Sequence, residues 1–338
     1  PLFPMDIFGV DRKLQQKLCH ADADLVFKRL TAPPSPSNKF GCSMRATLLS
    51  GAQKGGRRFW MILPADPHLT LTNEEFYIYV RLRLSLPFTS TDLGRDCSRC
   101  SARFDTRLDR IAHLSVCHGG TFGGTTLHMR HDHVRSTFLD FLRFAGIMAD
   151  PKEPRGVMYD ARTDDLYQGC TDIAASGVRY EGDEWQFDVQ LLSAARHTSS
   201  RTSTSQPLAA AAAGERKKVD TYLKLCTDNH VQFLPLVAEI EGGFAAGTLR
   251  LINIMRRKVH GRENLVQGTL DHNDAAHSDV QYWVQRLTIS IARWIARHIL
   301  DGIAAEHGMP SHSGHLPAGL TTSYWPSSDA VGMGGTDT

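Results

Sequence analysis

The sequence has little surplus charge of either sign, no long apolar run and no paired set of cysteines. Lysine and arginine number 38 against 36 acidic residues, a formal net charge of +2. That balance announces no polyanionic partner, so any nucleic-acid site must be carried by local charge. No stretch approaches the ~18 uninterrupted apolar residues of a spanning helix, which excludes a helical membrane anchor within the sequence. The seven cysteines are an odd number. Only Cys97, Cys100 and Cys117 cluster, while Cys19, Cys42, Cys170 and Cys226 are scattered. This pattern argues against a disulfide framework and for a reducing compartment with a metal site. A Gly-rich phosphate loop and a recognisable Ser/His/Asp motif are both missing. The chain opens on Pro1 with no basic stretch leading into an apolar one, so it reads as a fragment without a signal peptide or a natural start.

What is there is globular: 338 residues, 41% hydrophobic and 22% charged, long enough for two folded units at roughly 100 to 200 residues each. Pro33 to Ser37 reads as a loop or linker. Thr72 or Asn73 caps a helix that carries Phe76, Ile78, Tyr79, Val80, Leu82 and Leu84, with Arg81 and Arg83 upon it. A Gly-rich turn follows residue 117, and Val134, Phe138, Phe141, Leu142 and Ala145 then recur at helical spacing from His131 to Gly146. From about residue 156 the pattern changes to strand-like pieces at 156–159, 172–175, 186–192 and 233–240. Helices are predicted from Ala209 through Leu225 and over 244–258 and 278–303, the last presenting Trp283, Leu287, Ile291, Ile295 and Ile299 on one face. The first part of 194–214 lacks a core pattern, and the tail after Gly308 has the composition of disorder.

The most specific pattern is Cys97-x2-Cys100-x12-His113-x3-Cys117. Two thiolates on a tight turn meeting two ligands on a helix is the spacing of a tetrahedral, structural zinc site. Phe104 sits where such a finger keeps its core aromatic, whereas Arg110 occupies a position that normally holds leucine, leaving Leu108 and Ile111 as substitutes. An independent DNA-reading finger and a knuckle serving a neighbouring domain both fit this spacing.

A second constellation is looser. Asp172 opens one strand candidate, Asp188 lies in the next, and Lys218 stands on the following helix with Tyr222 four residues on. Two carboxylates on neighbouring strands could hold Mg²⁺ on a phosphate while a lysine assists the attacking water. An aspartate at a strand start is more often a turn residue, and a helical lysine is usually solvated. Arg130 and His131, with His128 and His133, form a basic cluster placed to touch phosphates, although a solvated helix start explains it nearly as well. Arg256, Arg257 and Lys258, with Arg262, could line a nucleic-acid channel or simply be a wet face. Glu239 and Glu241 fit a strand end better than a second metal site.

In their order along the chain, the Cys/His cluster, Arg130-His131-Asp132, Glu153-Pro154, Asp172, Asp188-Val189-Gln190 and Lys218-x3-Tyr222 resemble the C-terminal region of non-LTR retrotransposon reverse transcriptase proteins. In that family a polymerase is followed by a zinc knuckle and a restriction-like endonuclease. The likeness reaches upstream to Trp60, Leu63, Pro64, Phe76 and 81–87, and downstream to 233–237 and 285–287, covering roughly residues 45 to 300. It implies an α/β (α+β) fold: a PD-(D/E)XK restriction-endonuclease-like domain preceded by a small CCHC zinc knuckle and a helical segment. On that pattern the divisions are 1–95, a helical connecting segment; 96–124, the knuckle; 125–305, the endonuclease domain; and 306–338, a disordered tail.

The resemblance also implies roles. Asp172 and Asp188 match the two metal-binding acids, Lys218 the catalytic lysine displaced from strand to helix, with Lys217 as its alternative, and Glu153 an upstream acidic position. Thr171 departs from the family's proline. The implied cofactors are structural Zn²⁺ at Cys97, Cys100, His113 and Cys117 and catalytic Mg²⁺ at the acids. The implied partners are target DNA and element RNA, and the implied location is the nucleus. A catalytically inactive, zinc-dependent nucleic-acid-binding remnant is the alternative.

Overall fold

A computed structural model describes residues 25, 28, 32–33, 39–86, 96–97, 100–104, 113–115, 117, 120–151, 158–167, 171–195, 205–266 and 273–306. Glu153, Leu108, Arg110, Ile111, residues 196–204 and the tail after 306 lie outside these.

Two helices, α1 (Lys39–Gly51) and α2 (Lys54–Arg58), lead through a 3-10 turn at Phe59–Met61 into α3 (Asn73–Arg83). The long α4 (Gly120–Phe144) precedes the strands β1 (Met148–Asp150), β2 (Tyr159–Asp160), β3 (Asp165–Leu166), β4 (Ile173–Ser176) and β5 (Glu184–Leu192). Then come α5 (Ala209–Asp228), β6 (Gln232–Glu239), α6 (Ala246–Val266) and α7 (Asn273–Glu306). The result is a mixed α/β fold around a four-stranded sheet of order β1-β4-β5-β6. β1, β4 and β5 run antiparallel, while β6 lies parallel to β5 and α5 makes the crossover between them. β2 and β3 form a separate hairpin.

Alternation along β5 decides what each face meets. Trp185, Phe187 and Val189 join Ile173 and Ala175 of β4 in the main core, packed with Phe138 and Leu142 of α4, Leu251 and Met255 of α6, and Leu287, Ile291 and Ile295 of α7. Gln186, Asp188 and Gln190 point the other way, toward α5. Gly214 lets that helix sit close, because a Cβ there would meet Leu192 Cδ1 at 2.5 Å and Gln190 Oε1 at 3.0 Å. Pro235, which has no N–H to give the ladder, is accommodated in β6, an edge strand.

The main core also contains Phe59, Ile78, Tyr79 and Leu82. The boundary drawn at residue 95 therefore separates stretches of sequence and not cores. Tyr79 donates its hydroxyl to the Ile240 carbonyl at 3.0 Å, and Arg83 donates to the Gly56 and Gly51 carbonyls, so α3 is bound both to the end of β6 and to the α1–α2 junction.

The helix expected from Thr72 is present with a capping box: Glu75 N donates to Thr72 Oγ1 at 3.2 Å, and Thr72 N donates to Glu75 Oε2 at 3.0 Å. Two expectations differ. The glycines after residue 117 were read as a turn, but Gly120, Gly123 and Gly124 lie inside α4. The buried face from Val134 to Ala145 anchors that helix, and once it is nucleated each added residue gains a hydrogen bond that offsets the ~1 kcal/mol glycine penalty. β1 was missed because three residues are too few to show a period.

Glu75 carries more than its cap. Its side chain is almost fully buried and is paired with Arg297 at 2.6 Å and Arg293 at 3.8 Å, fastening α3 to α7. Glu75→Ala would take the carboxylate from Arg297, leave Arg293 only the Pro67 and Thr70 carbonyls, and remove the reciprocal cap. It should lower unfolding free energy by about 3–5 kcal/mol, read as a drop in denaturation midpoint, whereas Thr72→Ala, which removes only a cap, should cost about 1 kcal/mol.

Candidate functional site

Two groups of chemistry-bearing side chains come together, and α4 touches both. The first is the Cys/His cluster. Cys97 N donates to Ala102 O at 2.8 Å and Ser101 N to Cys97 O at 2.7 Å. Ser101 adopts the left-handed conformation (φ 59°), and the two sides pair at Asp96 and Arg103. This tight turn brings Cys97 and Cys100 toward His113 and Cys117, so that one ligand atom from each lies within 4.8 Å of all the others. Cys97 and Cys117 are buried, and with Leu114, Ala102 and Phe104 they make a small core of their own. The Phe104 ring lies 4.7 Å from the His113 ring, tilted by 40°, so the expected core aromatic is in contact, and Leu114 supplies the aliphatic partner.

The donor set is one nitrogen and three sulfurs, which could hold a metal ion and suits zinc. Cys97 Sγ and Cys117 Sγ are 3.7 Å apart. Two thiolates at ~2.3 Å from a tetrahedral zinc would be about 3.8 Å apart. Cys100 Sγ and His113 Nε2, at 3.2 Å, are somewhat closer than that geometry asks.

The second group is built where β4 stops short. Ile173 opposite Phe187 is the last β4–β5 pair at that end, so the next backbone groups of β5 lack a strand neighbour on that side. Side chains fill the place. Asp172 Oδ2 accepts from Val189 N at 2.7 Å, and His131 Nε2, on α4, lies 3.2 Å from Val189 O and 3.0 Å from Asp172 Oδ2. Asp188 lies close enough to Asp172 for the charge of that carboxylate to act on it, and Lys218 Nζ is ion-paired to Asp188 Oδ2. Tyr222, one turn further along α5, presents its ring 5.7 Å from that ammonium and meets Tyr167, after β3, edge-on.

The electrostatics follow from this crowding. Burial pushes the Asp172 carboxyl up, but the His131 hydrogen bond and charge together with the Val189 amide outweigh it and hold the group below the ordinary carboxylate range. Asp188 is pushed up to about 6: burial raises it, Lys218 opposes, and the neighbouring charge of Asp172 adds to the rise. His131 is raised, first by its bond to Asp172. Burial, followed by the charge of Asp188, also raises the Tyr222 phenol.

Asp172, Asp188 and Lys218 thus converge, and His131 joins them in place of the phosphate contact expected of it. Nothing in the spacing signals that, because His131 belongs to a helix about forty residues upstream. Lys217, the alternative lysine, is not in the ion pair. Two other expected nucleic-acid contacts are turned inward. Arg130 is 7% exposed, donates to Ser115 O at 2.9 Å, and is held by burial down to about 10. It ties α4 to the Cys/His cluster and is a poor phosphate ligand there. Lys258 reaches the Gly177 and Val178 carbonyls, closing the β4–β5 turn. Arg256 and Arg257 are exposed. Thr171, where the resemblance expects proline, donates its hydroxyl to Gln186 Oε1.

Glu239 and Glu241 are fully buried and act as structural acceptors. Glu239 takes the Ala211 amide, while Glu241 takes the Ser193 hydroxyl and the Ala194 and Ala195 amides. Burial, then the charge of Glu239, pushes Glu241 up to about 7. The strand-end reading holds for this pair. Among the described residues, no helix is long and apolar enough to cross a membrane.

No family model matches the sequence, and no curated protein matches it either.

If the Cys/His cluster holds zinc, the purified chain should carry one zinc ion per molecule by elemental analysis. Cys97→Ser and Cys117→Ser should each abolish it, with loss of the Cys97–Leu114–Cys117 core. Cys226→Ser, a buried cysteine outside the cluster, should leave the metal content unchanged.

Proposed function

We propose that the chain is the endonuclease region of a retrotransposon protein, with a CCHC zinc knuckle followed by a PD-(D/E)XK-like nuclease that nicks target DNA to prime reverse transcription. The observation that carries this reading is the meeting of Asp172, Asp188 and Lys218 at the open end of β4. The topology supports it. The antiparallel β4–β5 pair sets Asp172, just before β4, beside Asp188 in β5, and the crossover helix returns the lysine over Asp188.

The acids also fit a divalent cation. Burial first, and then the charge of Asp172 against the opposing Lys218, raises Asp188 to about 6, a strain that a divalent cation between the carboxylates would relieve. Mg²⁺ held by Asp172 and Asp188 would polarise the scissile phosphate and acidify a bound water. The chain's own groups have separate tasks. His131 and the Val189 amide fix the Asp172 carboxylate in one orientation. Lys218, ion-paired to Asp188, has its ammonium beside the acids, where it would orient the attacking water or balance charge on the phosphate. The Tyr222 ring keeps that ammonium over the site. The same reading carries with it a nuclear location, and DNA and element RNA as partners.

Purified protein should nick supercoiled plasmid with Mg²⁺, and Asp172→Ala and Asp188→Ala should abolish nicking. Lys218→Ala should slow it by about 10²- to 10⁴-fold. Metal binding needs Asp188 ionised, so activity should be lost as pH falls through about 6, and the inflection should move lower as Mg²⁺ rises because the cation competes with the proton. Wild type and Asp188→Ala behaving alike would replace this reading with that of an inactive, zinc-dependent nucleic-acid-binding remnant, which the departure at Thr171 would then help to explain.

A further inference from the structure

A cavity of about 540 Å³ lies between α2, α6 and α7, on elements that contribute nothing to the acid site. Arg57, Arg58 and Arg256 stand around it, and among the described residues no acidic side chain lines it. Its inner wall is apolar, built from Phe244, Ile252 and Val284 with their neighbours. Two amides complete the lining. Asn253 is exposed at the mouth, and Gln281 accepts a hydrogen bond from Arg58 at 2.9 Å, which fixes the orientation of both side chains.

Three guanidinium groups with no carboxylate among the described lining residues favour an anion, even with Arg57 Nε already given to Ala52 O, and arginine's planar fork suits phosphate. The apolar wall selects a flat, poorly solvated body attached to that anion, and the amides offer donors and acceptors to a polar ring edge. The volume falls in the range of small-molecule sites. It admits one unstacked base and excludes a duplex, in which the bases are stacked upon each other. We propose that this cavity binds one nucleotide of a single-stranded nucleic acid, with the phosphate at the arginine rim and the base against the half-buried Leu249 and Ile252. The proposal needs no metal and does not rest on the nuclease reading.

The test uses the full chain without added Mg²⁺ and a fluorescein-labelled oligothymidylate followed by anisotropy across a salt titration. Arg256 is exposed, so Arg256→Glu should keep the wild-type melting curve. It should weaken binding by about tenfold and reduce the salt slope by about one phosphate. Arg250→Glu, an exposed change on the same helix outside the lining, should stay within about twofold by the same reasoning. Oligonucleotides carrying 4-thiothymidine should crosslink, on irradiation, to peptides containing residues 252–256 or 280–284. Equal losses from the two arginine variants would overturn the proposal, as would crosslinks only at the acid site or the Cys/His cluster. Polyglutamate competing as well as the oligonucleotide would replace it with an acidic-polypeptide site. If nicking fails while these results hold, the nuclease reading falls and this one stands.

Discussion

The early end of β4 is the constraint on which the candidate site depends. A sheet strand that continued past Ile173 would take the Val189 amide and carbonyl into its ladder. Because it stops, those groups are satisfied by the Asp172 carboxylate and the His131 ring, in keeping with the rule that buried backbone groups find partners. The same gap lets Asp172 lean against Asp188. Two like charges in a partly buried place would repel unless something intervenes, and here Lys218 and His131 sit one on each acid. The site is therefore a four-member charge cluster whose geometry is dictated by a missing strand residue, and Gly214 sets how near the lysine's helix can come.

The remaining buried charges act as fasteners. Glu75 with Arg297 and Arg293 joins α3 to α7, Arg83 joins α3 to α1 and α2, and Glu241 holds the chain just after β5 by three donors. Each group has hydrogen-bond partners for its charge, the condition under which buried charge is tolerable. Such contacts stabilise a particular arrangement more than they add net free energy. That matters for a cluster drawn from a strand, the residue before another and two helices, where an error of about 1 Å in one element would separate its members.

How much of this was legible in the sequence depended on the range of the interaction. The Cys/His cluster is local, so its spacing carried it, although the catalytic-looking residues gave a fainter signal. Asp172 and Asp188 were readable because two adjacent strands bring positions sixteen apart into contact, and Lys218 because the crossover helix follows directly. The role of His131 was not readable: its partner lies 41 residues away on another element, and no periodicity encodes that pairing. The inward turn of Arg130 and Lys258 was hidden for a related reason. A basic run looks alike whether it faces water or carbonyls, and only the packing of α4 and α6 tells which. The helical start at Gly120 was missed because glycine reads as a turn until tertiary contacts overrule it.

Arg130 and Asp172's partner His131 are consecutive, and their divergence gives α4 a second meaning. Neighbouring residues on a helix project about 100° apart, so one side chain can reach the Cys/His cluster through Ser115 while the next reaches the acid site. The helix is anchored below by Val134, Phe138 and Leu142 in the main core, which prevents it from rolling to satisfy one contact at the expense of the other. A metal that rigidifies the loop holding Ser115 would also restrain Arg130, and through the backbone the azimuth of His131 against Asp172. The Cys/His cluster is then not an appendage strung before an α/β unit but one of two fixed points between which α4 is stretched, and the acid site inherits its alignment from both.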